Sequence, residues 1–180
     1  SGLAALHALS DTRPELVCLT ASSAYSMPPT VREQAGWRAP PTVPGGQECS
    51  IQEHGMAGML NGLALHGGLL PCCAASMMTV DRMRSAMRMA AFMRQKVLYL
   101  LTDDGLALGD SGGAWQPIEQ LASLRATPNL AVFRPGSAEE TFKCWEAALQ
   151  WQNGPAVLVL CPRQNTPQRL PAPAYGSAVR

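Results

Sequence analysis

The stretch "GDSGG", Gly109 to Gly113, is the pentapeptide that surrounds the nucleophilic serine of trypsin-like serine proteases, which makes Ser111 the first residue to ask about. Serine acyl transfer in those enzymes needs an upstream histidine and aspartate in a fixed chain order. His7, His54 and His66 are present, but none sits in an "AAHC"-like setting of small residues, and His54 and His66 fall on a predicted helix. Gly109, Gly112 and Gly113 instead predict a flexible loop after a strand. The six cysteines (Cys18, Cys49, Cys72, Cys73, Cys144, Cys161) lie mostly in apolar stretches, without C-x-x-C spacing, and adjacent Cys72 and Cys73 make a poor metal pair. They read as buried free thiols in a reducing cytosol, with no metal site. Neither a G-x-G-x-x-G nor a G-x-x-x-x-G-K-[ST] phosphate loop occurs.

The elements that must position these residues follow from periodicity. Short apolar runs predict strands at 16–20, 97–102, 130–134 and 156–161. Helical spacing covers most of 53–66 and 80–94. A further helix opens at Ser137, with Glu140 three residues on as a capping box. Gly67 and Gly68 form a natural helix stop. Strands apolar throughout and alternating with helices imply an α/β fold, a mostly parallel sheet with helices on both faces. That architecture excludes the antiparallel barrel of trypsin-like proteases and gives Ser111 the wrong surroundings for a nucleophile.

Residues 1–166 are read as one domain, with a proline-rich irregular loop at 22–47 and a tail at 167–180. The 180 residues are 47% hydrophobic and 15% charged, a globular balance whose low charge predicts a surface partly covered by a partner. A net charge of +1 gives no basis for nucleic-acid or anionic-membrane binding. No run reaches the roughly 18 apolar residues of a membrane span, and no secretory segment opens the chain, so a cytoplasmic location is expected.

Four collinear blocks carry a family signal: "QEHGMAGMLNGLALHGGLLP" (52–71), "MRSAMRMAAFM" (83–93), "QPIEQLASLRATPNLAVFRP" (116–135) and "GPAVLVLCPRQN" (154–165). Together they resemble the pyrimidine-binding domain of transketolase, the middle of three domains, over most of 52–165 and loosely back to about residue 5. The resemblance implies thiamine diphosphate bound between two chains, with the diphosphate and Mg²⁺ held by a separate domain. It also implies that Glu53, in "QEHGM", bonds the pyrimidine ring nitrogen and promotes the imino form that deprotonates the thiazolium carbon. A carboxylate buried in an apolar crevice holds its proton unless it is paired, which suits such a role. Read without the resemblance, Glu53 is a favourable charge at a helix start.

Other matched positions depart from the family. Aromatic rings that pack on the aminopyrimidine fall on Ser76, Thr79 and Arg82, and each lost ring contact removes about 0.5–1.5 kcal/mol beyond area burial. Substrate-contacting histidines fall on Asp103 and Trp115, and a substrate-contacting aspartate on Ser111. Arg163 matches a residue that binds the sugar phosphate, and Ser26 is matched to another phosphate contact.

Two functions are expected from this pattern. One is a non-catalytic transketolase-like module acting as a structural or pairing domain. The other is a subunit of a split thiamine diphosphate-dependent transketolase, transferring a ketol unit between sugar phosphates together with a diphosphate-binding chain. Thiamine diphosphate and Mg²⁺ are expected only at an interface with such a partner, and not on the isolated chain. The methionine-rich helices at 53–66 and 80–94 predict a homodimer or hetero-oligomer formed through the first of them.

Overall fold

The computed structural model describes residues 13–20, 53–102 and 116–160. The stretch 22–47, the tail 167–180 and the pentapeptide at 109–113 lie outside the described residues.

Five strands alternate with helices. In chain order they are β1 (Leu16–Thr20), α1 (Glu53–His66), β2 (Leu70–Ser76), a 3₁₀ turn (Met77–Thr79), α2 (Val80–Phe92), β3 (Leu98–Thr102), α3 (Gln120–Arg125), β4 (Ala131–Phe133), α4 (Ala138–Gln150) and β5 (Ala156–Leu160). All pair in parallel, in the order β1-β2-β3-β5-β4. The α/β architecture read from the sequence is therefore present, with helices on both faces.

Each face has its own core. On one side α1, α2 and α3 bury Met56, Leu60, Met83, Met87 and Leu124 against Cys73, Tyr99, Leu101 and Val159. On the other, Trp145 and Ala148 of α4 pack on Leu98, Leu100, Phe133 and Leu158. The chain steps across the sheet from β1 through β2 and β3 to β4 at the far edge, then turns back from β4 to β5. Because parallel crossovers are right-handed, reversing the direction moves the connecting helix to the opposite face, where α4 lies.

Helix α2 forms because Val80, Met83, Met87 and Ala90 recur at helical spacing and are all buried to 1% exposure or less. A fully buried side chain of this size contributes about 1.5–3 kcal/mol. At the end of α1, Gly67 adopts φ 81° and its N–H donates to Ala64 O at 3.2 Å, the stop anticipated from the glycine pair. Ser137 caps α4 by accepting from Glu140 N, while the Glu140 carboxylate accepts from Gly136 N, one residue earlier than a strict capping box.

Two elements differ from the expectation. β2 and the short α3 had no predicted counterpart. β2 is built of Leu, Pro, Cys, Ala and Ser, without a β-branched residue, and carries Pro71 near its start. Leu70 N donates to Glu15 O toward β1, so the nitrogen of Pro71 faces β3, where the ladder begins only at Cys72 opposite Leu98. The missing N–H therefore breaks no rung.

The methionine argument for outside cover is also corrected in part. Met56, Met83 and Met87 fill this chain's own core. The outward face of α1 carries exposed Gly58 and Gly62, each with open space where a Cβ would stand, and exposed Leu65. Met89 and Phe92 are exposed on α2.

Candidate functional site

In open parallel sheets ligands bind at the carboxyl ends of the strands. Four of the predicted site residues meet there. Glu53 is the first residue of α1, Ser76 ends β2, Thr79 closes the 3₁₀ turn, and Arg82 lies in the first turn of α2. Ser26, Asp103, Ser111, Trp115 and Arg163 lie outside the described residues.

Glu53 is 2% exposed although it is charged. Burying a carboxylate is unfavourable unless it is paired. Its partner is Arg82, whose Nη1 donates to Oε1 at 3.3 Å and to Oε2 at 3.4 Å. The pair is asymmetric, since the Arg82 side chain keeps 52% of its surface exposed against 3% for Glu53. Arg82 thus covers the carboxylate from the solvent side.

Ser76 and Thr79 are buried, and both hydroxyls serve the local backbone. Ser76 Oγ accepts from Met78 N at 3.4 Å, and Thr79 Oγ1 donates to Ser76 O at 2.8 Å. These bonds explain why the chain turns sharply from β2 into α2. At the three positions matched to aromatic rings the chain has two turn-capping hydroxyls and a guanidinium, and the fourth position, Glu53, is engaged by that guanidinium. These residues do not fit a stacked aminopyrimidine ring.

A second polar group lies beside the first and was not anticipated. Gln120 Nε2 donates to Asp81 Oδ2 at 3.0 Å, and Arg84 Nη2 donates to Asp81 Oδ1 at 2.5 Å. Burial pushes the Asp81 carboxyl up, but the bonds from Arg84 and Gln120 outweigh it and hold it below its ordinary value. The Asp81–Arg84 spacing is legible in sequence, whereas the Gln120 contact spans 39 residues and is not. Asn61 Nδ2 donates to Ala86 O at 2.9 Å and ties α1 to α2, and Ser85 Oγ lies 3.3 Å from His54 Nδ1.

Cys18, Cys72, Cys73 and Cys144 are free thiols. Cys18 Sγ lies 3.5 Å from Cys72 Sγ across paired strands. Burial pushes Cys18 and Cys73 well up, with the Cys72 contact adding to Cys18, which disfavours reactive thiolates. Among the described residues no cluster of His, Cys, Asp and Glu could hold a metal ion, and no helix is long and apolar enough to cross a membrane.

Comparison with known proteins adds the context. The family described as transketolase, pyrimidine binding domain, matches residues 4–169. A transketolase from Sinorhizobium medicae is 52% identical over 110 residues, which are 61% of this chain and 16% of that protein. The chain thus spans about a sixth of that relative's length. The solved transketolase from Leishmania mexicana superposes with a TM-score of 0.72 at 28% identity, covering 89% of this chain and 24% of that one. A split-gene transketolase, solved as an inactive β4 tetramer, shares the fold with a TM-score of 0.68 at 22% identity, covering 92% of this chain and 52% of that one.

Proposed function

The chain belongs to the transketolase family through its pyrimidine-binding domain, and from that premise we propose that it acts as a pairing module without ketol transfer of its own. In this reading it docks on a transketolase-like chain or on a second copy of itself. The observation that carries the reading is the Ser76–Thr79 turn, where two matched ring positions hold buried hydroxyls already used to shape the backbone. A wall of that kind offers a cofactor ring no flat aromatic surface to pack on. Asp103, Ser111 and Trp115, at positions matched to substrate contacts, extend the argument to the sugar side, while Arg163 and Ser26 are proposed to retain phosphate contacts. The proposed docking face is the outer side of α1, where Gly58 and Gly62 let a neighbouring backbone approach closely.

A second reading, the subunit of a split transketolase, is favoured by Glu53, a buried carboxylate at the position matched to the family's glutamate. The inactive split-gene tetramer supports the idea that such halves assemble on their own. The test is to assay a ketose phosphate donor with thiamine diphosphate and Mg²⁺, using the chain alone and mixed with a diphosphate-binding transketolase chain. Sedimentation is followed in parallel. Complex formation without turnover is the expected result. Turnover in the mixture gives the second reading instead, and a monomer that pairs with nothing refutes both.

A further inference from the structure

We propose that Arg82 is an internal plug: its guanidinium covers the Glu53 carboxylate and excludes an aminopyrimidine ring from it. The inference rests on the family reading above and deepens it, since it names the group that closes the site. Both carboxylate oxygens lie within 3.4 Å of Arg82 Nη1, while only 3% of the Glu53 side chain meets solvent. Whatever bonds to the Glu53 carboxylate has to compete with the guanidinium. A ring that shares a proton with Glu53 would bring positive character onto a nitrogen facing a permanent cation, which repels it. To bind, the ring must displace Arg82 and replace two charge-assisted contacts with one or two of its own. The neighbouring turn offers no aromatic ring to stack on in exchange, because Ser76 and Thr79 stand at the matched ring positions.

The plug also accounts for a charge that would otherwise be hard to keep. A carboxylate 2% exposed at the end of an apolar core needs a counter-charge when no ligand supplies one. Arg82 supplies it from the first turn of α2, three residues beyond Thr79. Glu53 thus keeps a structural role at the α1–α2 junction.

The experiment uses thiamine, without the diphosphate, as the probe, read by saturation-transfer NMR on its pyrimidine-ring protons. The chains compared are the wild type, Arg82→Met and the double variant Glu53→Gln/Arg82→Met. Methionine keeps much of the aliphatic stem and the helix preference while removing the guanidinium. We expect Arg82→Met to bind thiamine at least about tenfold more tightly than the wild type, the scale of one regained hydrogen bond to a charged group, and the double variant to lose that gain. Equal binding, or an equal lack of it, in wild type and Arg82→Met overturns the proposal. So does a double variant that binds as well as Arg82→Met. If Arg82→Met fails to fold, the wild type decides: its Glu53 side-chain carboxyl resonance is expected to stay in place on thiamine titration, and a displaced resonance overturns the plug. None of these readouts measures ketol transfer, so the plug can fail while the pairing-module reading stands, and the reverse.

Discussion

Removing Arg82 should harm the fold more than removing the charge it covers. At 3.3 Å and an effective dielectric of about 20, two unit charges attract by about 5 kcal/mol, an upper figure for this pair. Breaking a fully buried pair by deleting one partner costs about 3–5 kcal/mol. Arg82 is 52% exposed, so water can reach the stranded carboxylate, and about 1–3 kcal/mol is expected for Arg82→Met. Glu53→Gln removes the charge but keeps an oxygen that accepts from Arg82, and should cost about 0.5–1.5 kcal/mol. The double variant leaves no buried charge at position 53. Its loss should therefore fall short of the sum of the single losses by about 1 kcal/mol. Urea unfolding of the four chains measures the cycle. Single losses that add to within about 0.3–0.5 kcal/mol would show that the two residues are not energetically coupled and would refute the reasoning.

Gly154 adopts φ +151°, and a Cβ there would stand 2.4 Å from Asn129 O, a backbone atom; Gly154→Ala should cost about 2 kcal/mol or more, and a melting temperature within error of wild type would contradict this. Tyr99 is fully buried and its hydroxyl has no partner among the described residues, so Tyr99→Phe should leave stability unchanged or raise it by up to about 1 kcal/mol, whereas a clear loss in urea unfolding would reveal a bond to the hydroxyl. Asp81, held below its ordinary 3.8 against burial by Arg84 and Gln120, contributes stability that is present above that value and lost as pH falls through the folded-state value. Asp81→Asn should therefore flatten the acid limb of a melting-temperature profile below about pH 4, and an unchanged limb would count against the bonds that Arg84 and Gln120 donate to Asp81.

Much of this fold could be read from local pattern because local pattern caused it. Strands β1, β3, β4 and β5 are short apolar runs with clear stops, and Ser137, Glu140 and Gly67 act within a few residues of themselves. β2 escaped because its place in the sheet comes from burial between β1 and β3, not from β-branched side chains, and because Pro71 is harmless only in the register actually formed. The site divides in the same way. The block match brought Glu53, Ser76, Thr79 and Arg82 together as positions. That Arg82 reaches back across 29 residues to Glu53 depends on how α1 packs on α2, and no spacing rule contains it. The Gln120–Asp81 bond was hidden for the same reason.

The Glu53–Arg82 contact also makes the order of further sequence change matter. Losing Glu53 first leaves a half-exposed arginine, which water solvates readily. Losing Arg82 first strands a carboxylate inside the protein and is selected against wherever stability is thin. The path toward erasing both residues is therefore shallow from one end only. The path back to an aromatic ring at position 82 runs through the unfavourable intermediate, unless a ligand is already there to cover the charge. A contact of this kind behaves as a ratchet: it guards Arg82 against substitution more firmly than it guards Glu53.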